Sequence, residues 1–142
     1  MSTSSKIRFG QAAKAIGITE RALRNWVVRR GGIDLANPQR GGWLTFHEHD
    51  VFVLALAVEL VGWGGRAKEA SDAVRVALAE AGANLDDVAS IPNCLYAARD
   101  RDGWFIRPAE AEVRAVTGAL SILKISTKEI IAAARQRLDG QS

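Results

Sequence analysis

The chain has 142 residues, of which 48% are apolar and 25% are charged. These proportions are typical of a folded globular protein and argue against wholesale disorder. The single cysteine, Cys94, excludes an internal disulfide framework and a structural zinc site built on cysteines. No apolar run reaches the roughly 18 residues needed to cross a bilayer, and no apolar segment follows the polar N-terminus. We therefore expect a soluble, cytoplasmic protein with no membrane partner.

The net charge of +3 is distributed unevenly along the chain. Residues 1–47 carry eight bases and two acids, whereas residues 48–142 carry eleven bases and fourteen acids. The first third of the chain is therefore basic and the remainder is mildly acidic. This asymmetry favours a polyanionic partner for the N-terminal part. A basic face that binds no nucleic acid explains the charge equally well.

The N-terminal third predicts two short helices joined by a tight turn. The first spans about residues 9–16, and one apolar stripe is formed by Ala12, Ala13 and Ile16. Gly17 ends this helix, and Thr19 is a good N-cap for a second helix from residue 20 to about residue 30. The apolar stripe of the second helix consists of Ala22, Leu23, Trp26 and Val27. Its opposite face carries Arg21, Arg24, Asn25 and Val28.

Further elements follow in chain order. We expect a loop at 33–42, a short strand at 43–46, an apolar helix at 47–62 and another helix at 66–81, with a glycine-rich break at 62–65 between these two helices. Two strands at 94–99 and 104–107 form a hairpin, because Asp102-Gly103 is a strong turn signal. For 109–125 we expect two short strands that turn near Gly118, with a helix as the alternative. A final helix is expected at 127–138.

Two short helices with an exposed basic face are typical of a helix-turn-helix, whose second helix enters the DNA major groove. Arginine can bind guanine edges or phosphates, and asparagine can pair with adenine. A helical hairpin with no role in DNA binding produces the same pattern.

Short motifs that recur in order across several elements resemble the MerR family of bacterial DNA-binding proteins. They are Gln11-Ala12-Ala13, Gly17-Ile18-Thr19, Leu23-Arg24-Asn25-Trp26, Gly42-Trp43, Asp50-Val51 and Glu59-Leu60-Val61-Gly62. The resemblance covers about residues 6–78. It implies a winged helix-turn-helix that binds DNA as a dimer and regulates transcription. It also implies that Arg24 is the recognition-helix arginine, that Trp26 packs in the core, and that Gly42-Trp43 belongs to the wing.

The sequence departs from the family in several places. Leu44 stands where the wing usually has arginine, and Asn25 stands where an aromatic residue is usual. No long heptad helix follows Ala81, and the cysteines of the metal sensors are missing, so the family's sensing function does not carry over. Other users of such a domain therefore remain open as alternatives: excisionase-type factors and phage small terminase subunits. A protein-interaction or ligand-binding module without DNA is the alternative from another class.

The sequence thus predicts an α+β protein with two parts. A mainly helical winged helix-turn-helix domain spans residues 1–82, and a small module of a β-hairpin and a helix spans residues 83–142. We expect a bacterial or phage transcription regulator that binds double-stranded DNA. We also expect a homodimer, formed through the C-terminal module at residues 94–138.

The expected DNA contacts divide into two groups. Base contacts are assigned to Arg21, Arg24 and Asn25. Phosphate contacts are assigned to Lys6, Lys14, Arg29 and Arg40, with Trp43 in the wing.

No catalytic arrangement, metal site or cofactor is expected, and the sequence leaves open whether a small-molecule effector exists. The run from His47 to Asp50 has no metal-ligand spacing and is interpreted as the first turn of a helix. Gly62-Trp63-Gly64-Gly65 is interpreted as a helix break rather than a phosphate-binding loop, because no strand precedes it. Cys94 is interpreted as a small packing residue.

Overall fold

The computed structural model describes residues 7–28, 46–100 and 103–141, which form an α+β fold of six α-helices and one three-stranded antiparallel sheet. In chain order the elements are α1 (Phe9–Ile16), α2 (Glu20–Val28), α3 (Glu48–Val61), α4 (Ala67–Glu80), β1 (Leu95–Asp100), β2 (Gly103–Arg107), α5 (Glu110–Thr117), β3 (Leu123–Ile125) and α6 (Thr127–Asp139). A 3-10 turn lies at Val88–Ser90. The predicted helices at 9–16, 47–62, 66–81 and 127–138 and the hairpin are confirmed. The predicted loop at 33–42 and most of the predicted strand at 43–46 lie outside the described residues.

Helix α3 is the centre of the fold and is buried on almost every side. Its residues 50–57 and Leu60 are all buried, and it packs against α1, α4 and α6. Its N-terminus is closed by a capping box, in which the His47 side chain accepts a hydrogen bond from the backbone N–H of His49, and the Asp50 carboxylate accepts one from the backbone N–H of His47. The buried helix therefore begins at a residue that satisfies its first backbone donors.

The sheet has the order β2-β1-β3, so β1 is the central strand. Cross-strand partners share a face: Ala97 lies opposite Ile106, and Leu95 lies opposite Ile125. All four residues are buried in the main hydrophobic core. Ala98 points to the opposite face because side chains alternate along a strand. Helix α5 packs on β1 and β2, so the sheet separates α5 from the main core.

The expectation of two strands within residues 109–125 is wrong for most of that segment. Residues 110–117 form helix α5, and only residues 123–125 form a strand. Glu110 lies in the first turn of α5, where acids favour the helix dipole, and it pairs with Arg114 one turn later at 2.7 Å. Gly118 has a φ of +66° and ends the helix as a left-handed C-cap, rather than turning a hairpin.

The hydrophobic core runs without interruption from α1 to α6. Phe9, Leu54 and Ile131 belong to the same buried cluster, and α6 packs against both α1 and α3. The apolar face of α6, which the sequence analysis suggested as a dimer surface, thus packs within its own chain: Ile131 and Ala134 are buried, and Ile130 and Leu138 are partly buried. The division of the chain into two independent units near residue 82 stays a prediction. The core that α6 shares with α1 and α3 extends across this boundary.

Among the helices in the described ranges, none has both the length and the apolar character needed to cross a membrane.

Candidate nucleic-acid interface

Helix α2 has one anchored side and one exposed side. Thr19 caps it, because the threonine hydroxyl accepts a hydrogen bond from the backbone N–H of Ala22 at 3.0 Å. Leu23 is completely buried, and Trp26 and Val27 are partly buried against the core. The prediction that Trp26 packs inward is consistent with this position. The helix is held to the protein by this apolar stripe, which leaves its other side to solvent.

The exposed side of α2 brings together the three residues predicted to contact bases. Arg21, Arg24 and Asn25 are all exposed. Glu20 is exposed beside them at the first position of the helix. Two guanidinium groups, one amide and one carboxylate therefore share a short exposed surface, which we call the α2 face. Its net charge is positive, and its groups are the donors and acceptors that pair with base edges and phosphates.

Arg24 is oriented by two contacts within the chain. Its guanidinium forms an ion pair with the Glu20 carboxylate at 2.9 Å, and both side chains are about half exposed, at 54% and 53%. The guanidinium carbon also lies 4.6 Å from the centre of the Phe9 ring. Phe9 in turn packs edge-to-face on Phe46, with 5.0 Å between the ring centres. An exposed ion pair of this kind is worth only about 0.3–0.5 kcal/mol, so Arg24 can leave Glu20 at little cost.

Helix α1 and α2 are joined by a three-residue turn. Gly17 adopts a φ of +91°, a conformation that favours glycine, and its backbone N–H bonds back to the carbonyl of Ala13. The backbone N–H of Ile18 donates a second hydrogen bond to the same Ala13 carbonyl, at 3.1 Å. The turn closes α1 and starts α2 within three residues, and the two helices pack against each other.

The remaining predicted contact residues are less well placed by the structure. Lys14 is exposed in the last turn of α1, on a different helix from the α2 face. The other predicted contacts lie outside the described residues: Lys6, Arg29, Arg40 and Trp43. The wing proposed from the sequence falls in the same undescribed range, apart from Phe46, which pairs with Ile7 in an isolated antiparallel bridge.

The interpretation of His47 to Asp50 as a helix start is confirmed by the capping box of α3. The ring of His49 then reaches away from the helix and lies 2.8 Å from the Asp86 carboxylate. This hydrogen bond, together with the nearby imidazole charge, lowers the pKa of Asp86 below its ordinary value. Asp50 is buried, and its carboxylate accepts a hydrogen bond from the Arg75 guanidinium at 3.4 Å. Within the described residues, no three His, Cys, Asp or Glu side chains cluster closely enough to hold a metal ion.

Sequence reasoning missed the residues that support the α2 face. The spacing of four residues between Glu20 and Arg24 is a readable sign of an ion pair. The contact of Arg24 with Phe9 has no comparable signal. A third contact was equally hidden: Arg137, far along the chain, donates a hydrogen bond to the carbonyl of Ala15 at the end of α1. Only folding brings these positions together.

A comparison of the sequence with protein-family models and with curated proteins found no match in either case.

Proposed function

We propose that this protein binds double-stranded DNA, with α1 and α2 as a helix-turn-helix and α2 as the helix that enters the major groove. The α2 face carries the proposal, because it combines Arg21, Arg24 and Asn25 on a helix anchored from behind by Leu23. The major groove is about 12 Å wide and admits an α-helix. In this arrangement the helix backbone fixes the spacing of the three polar side chains before DNA arrives.

The chemistry of the face suggests a division of roles. Arg24 is the best candidate for reading guanine, because its side chain is about half exposed on the α2 face and its exposed ion pair with Glu20 is weak enough to exchange for a base. Asn25 offers the donor and acceptor pair that matches adenine. Among the cations predicted to contact phosphates, Lys14 lies exposed on α1. Lys6, Arg29 and Arg40 have this role from the sequence alone, and Trp43 has its proposed place in the wing from the sequence alone.

The resemblance to MerR-like proteins supports a regulatory role in a bacterium or a phage. It also supports a winged form of the domain and binding as a homodimer to two half-sites. A small terminase subunit or an excisionase-type factor uses the same kind of interface for packaging or recombination. A regulator, a small terminase subunit and an excisionase-type factor all bind DNA, so DNA binding is the property to test first.

The test is selection of bound fragments from a random duplex library by the full chain, followed by binding measurements on the selected site. Arg24→Ala should weaken binding by about 1–3 kcal/mol and relax the preference at one base position. Glu20→Gln should strengthen binding, because it removes a carboxylate that competes with DNA for Arg24 and repels phosphates. Binding should also weaken steeply with salt, as it does when phosphates are neutralised.

Arg114→Ala is a closely matched control. Arg114 is also exposed, and it also pairs with a glutamate one turn earlier, but it lies on α5 rather than α2. Its loss should leave the affinity and the base preference unchanged. Equal losses in the two arginine variants would assign binding to overall charge and remove the α2 face from the interface. No DNA binding even at low salt would favour the protein-interaction alternative.

A further inference from the structure

The C-terminal end of α6 is fastened to the backbone of α1. Helix α6 packs along α1, and two side chains donate hydrogen bonds to α1 carbonyl oxygens: Arg137 in the last turn of α6 and Gln141 just after the helix ends. One nitrogen of the Arg137 guanidinium lies 3.0 Å from the oxygen of Ala15, and the Gln141 amide nitrogen lies 3.1 Å from the oxygen of Gln11. Side chains from the C-terminal part of the chain therefore hold a helix from its N-terminal part, and the acceptors are main-chain oxygens.

The Ala15 carbonyl is a group that needs a donor. It lies in the last turn of α1, where carbonyls have no partner further along the same helix. A guanidinium is well suited to this place, because a positive charge near the C-terminus of a helix interacts favourably with the helix dipole. Gly17 and Ile18 cap α1 locally at the Ala13 carbonyl, and Arg137 supplies from α6 the donor for the Ala15 carbonyl.

Arg137 also borders the turn that leads into α2. Its guanidinium nitrogen lies 3.9 Å from the position that a Cβ atom would occupy at Gly17. Gly17 is the left-handed residue that redirects the chain between α1 and α2, and α2 packs on α1. The group that caps α1 therefore stands directly against the bend that sets the direction of α2.

We propose that Arg137 is a positioning residue for α2, which acts by holding the end of α1 and the turn at Gly17 in one geometry. The consequence of this role for DNA rests on the proposed function of the α2 face. The role itself does not, because it concerns how tightly α2 is held in the protein. Through Arg137, helix α6 helps α1 and the turn at Gly17 to hold α2 in position.

The experiment compares three variants of the full chain by amide hydrogen exchange. Arg137→Met keeps the aliphatic stem and removes the donors, and Arg137→Lys keeps a charged donor. Arg135→Met is the control on the same helix, since Arg135 donates to the carbonyl of Leu85 and contacts Glu48 and Phe52 of α3 rather than α1. In Arg137→Met the protection of the α2 amides should fall about tenfold more than that of the β1 amides.

The controls decide what such a result means. Arg137→Lys should recover most of the lost protection in α2, and Arg135→Met should change α2 no more than β1. Equal loss of protection in α2 and β1 in Arg137→Met would overturn the proposal, because Arg137 would then contribute only to overall stability. A change in α2 that is as large in Arg135→Met would overturn it as well.

DNA binding by the same variants gives a second readout. A positioning role predicts that Arg137→Met binds the selected duplex about three- to tenfold more weakly, with an unchanged salt slope. A slope lowered by about one would instead identify Arg137 as a phosphate contact and would overturn the positioning role. If the wild-type chain binds no DNA while the exchange results are as expected, the proposed function fails and the positioning of α2 by Arg137 stands.

Discussion

Replacing Ile131 by alanine tests whether the C-terminal helix belongs to the same folding unit as α1 and α3. The Ile131 side chain is 2% exposed and lies in the cluster that also contains Phe9 and Leu54. The substitution removes three buried carbons at about 0.8 kcal/mol each, and the cavity adds to this cost. We therefore expect a loss of about 3 kcal/mol in the free energy of unfolding.

That loss converts into a clear shift in melting temperature. For 142 residues, an unfolding entropy of about 2.1 cal/mol/K per residue gives roughly 0.3 kcal/mol/K, so Tm should fall by about 10 °C. Ile130→Ala is the control, because the neighbouring isoleucine is only partly buried. It should lower Tm by less than half as much.

Thermal melting followed by circular dichroism, with amide exchange at α1 and α6, checks the reasoning. We expect one transition, and we expect the α1 amides to lose as much protection as the α6 amides. Unchanged protection of α1 and α2 together with a loosened α6 would refute the shared core. That result would instead support the independent domain that the sequence predicts for residues 1–82.

Three further predictions follow from single contacts. Thr19→Ala should cost about 0.5–2 kcal/mol, measured by denaturant unfolding, because the hydroxyl caps the first turn of α2. Gly65→Ala should cost about 1–3 kcal/mol, because a Cβ there would lie 2.7 Å from the indole nitrogen of Trp104. Asp86→Asn should destabilise the protein at neutral pH, because the His49 hydrogen bond holds the pKa of the carboxyl below 3.8. A depressed pKa stabilises the fold above the unfolded value, so the difference between the variant and the wild type should shrink as the pH falls below 3.8.

Each of these predictions has a contradicting result. An unchanged midpoint for Thr19→Ala would mean that α2 does not depend on its cap. Gly65→Ala as stable as the wild type would mean that the indole can move aside; Gly140→Ala is its control, since a Cβ there meets its nearest atom at an ordinary 3.4 Å. If the difference in stability between Asp86→Asn and the wild type is the same at acid pH, the charge of the carboxylate is not its cause.

Local patterns were sufficient for most of the helices. The apolar spacing of α1 and the glycine after it predicted the observed bounds of 9–16, because a short amphipathic helix and its cap are both encoded in adjacent residues. The same reasoning placed Arg21, Arg24 and Asn25 on the exposed side of α2. It failed at α5, whose valines and threonine suit a strand as well as a helix. There Val113 is completely buried, and it is the packing of the segment on the sheet that favours the helix.

The sequence by itself determined the order of the elements outside residues 109–125, the cap that starts α2, the helix start at His47–Asp50, and the polar composition of the α2 face. These features depend on residues within about one helical turn of each other, so the chain encodes them directly. Only the tertiary structure decided that Phe9 lies beneath Arg24, that α6 shares the core of α1, and that Arg137 caps the end of α1. Contacts between distant positions depend on how all the buried surfaces fit together, and no local periodicity specifies that fit.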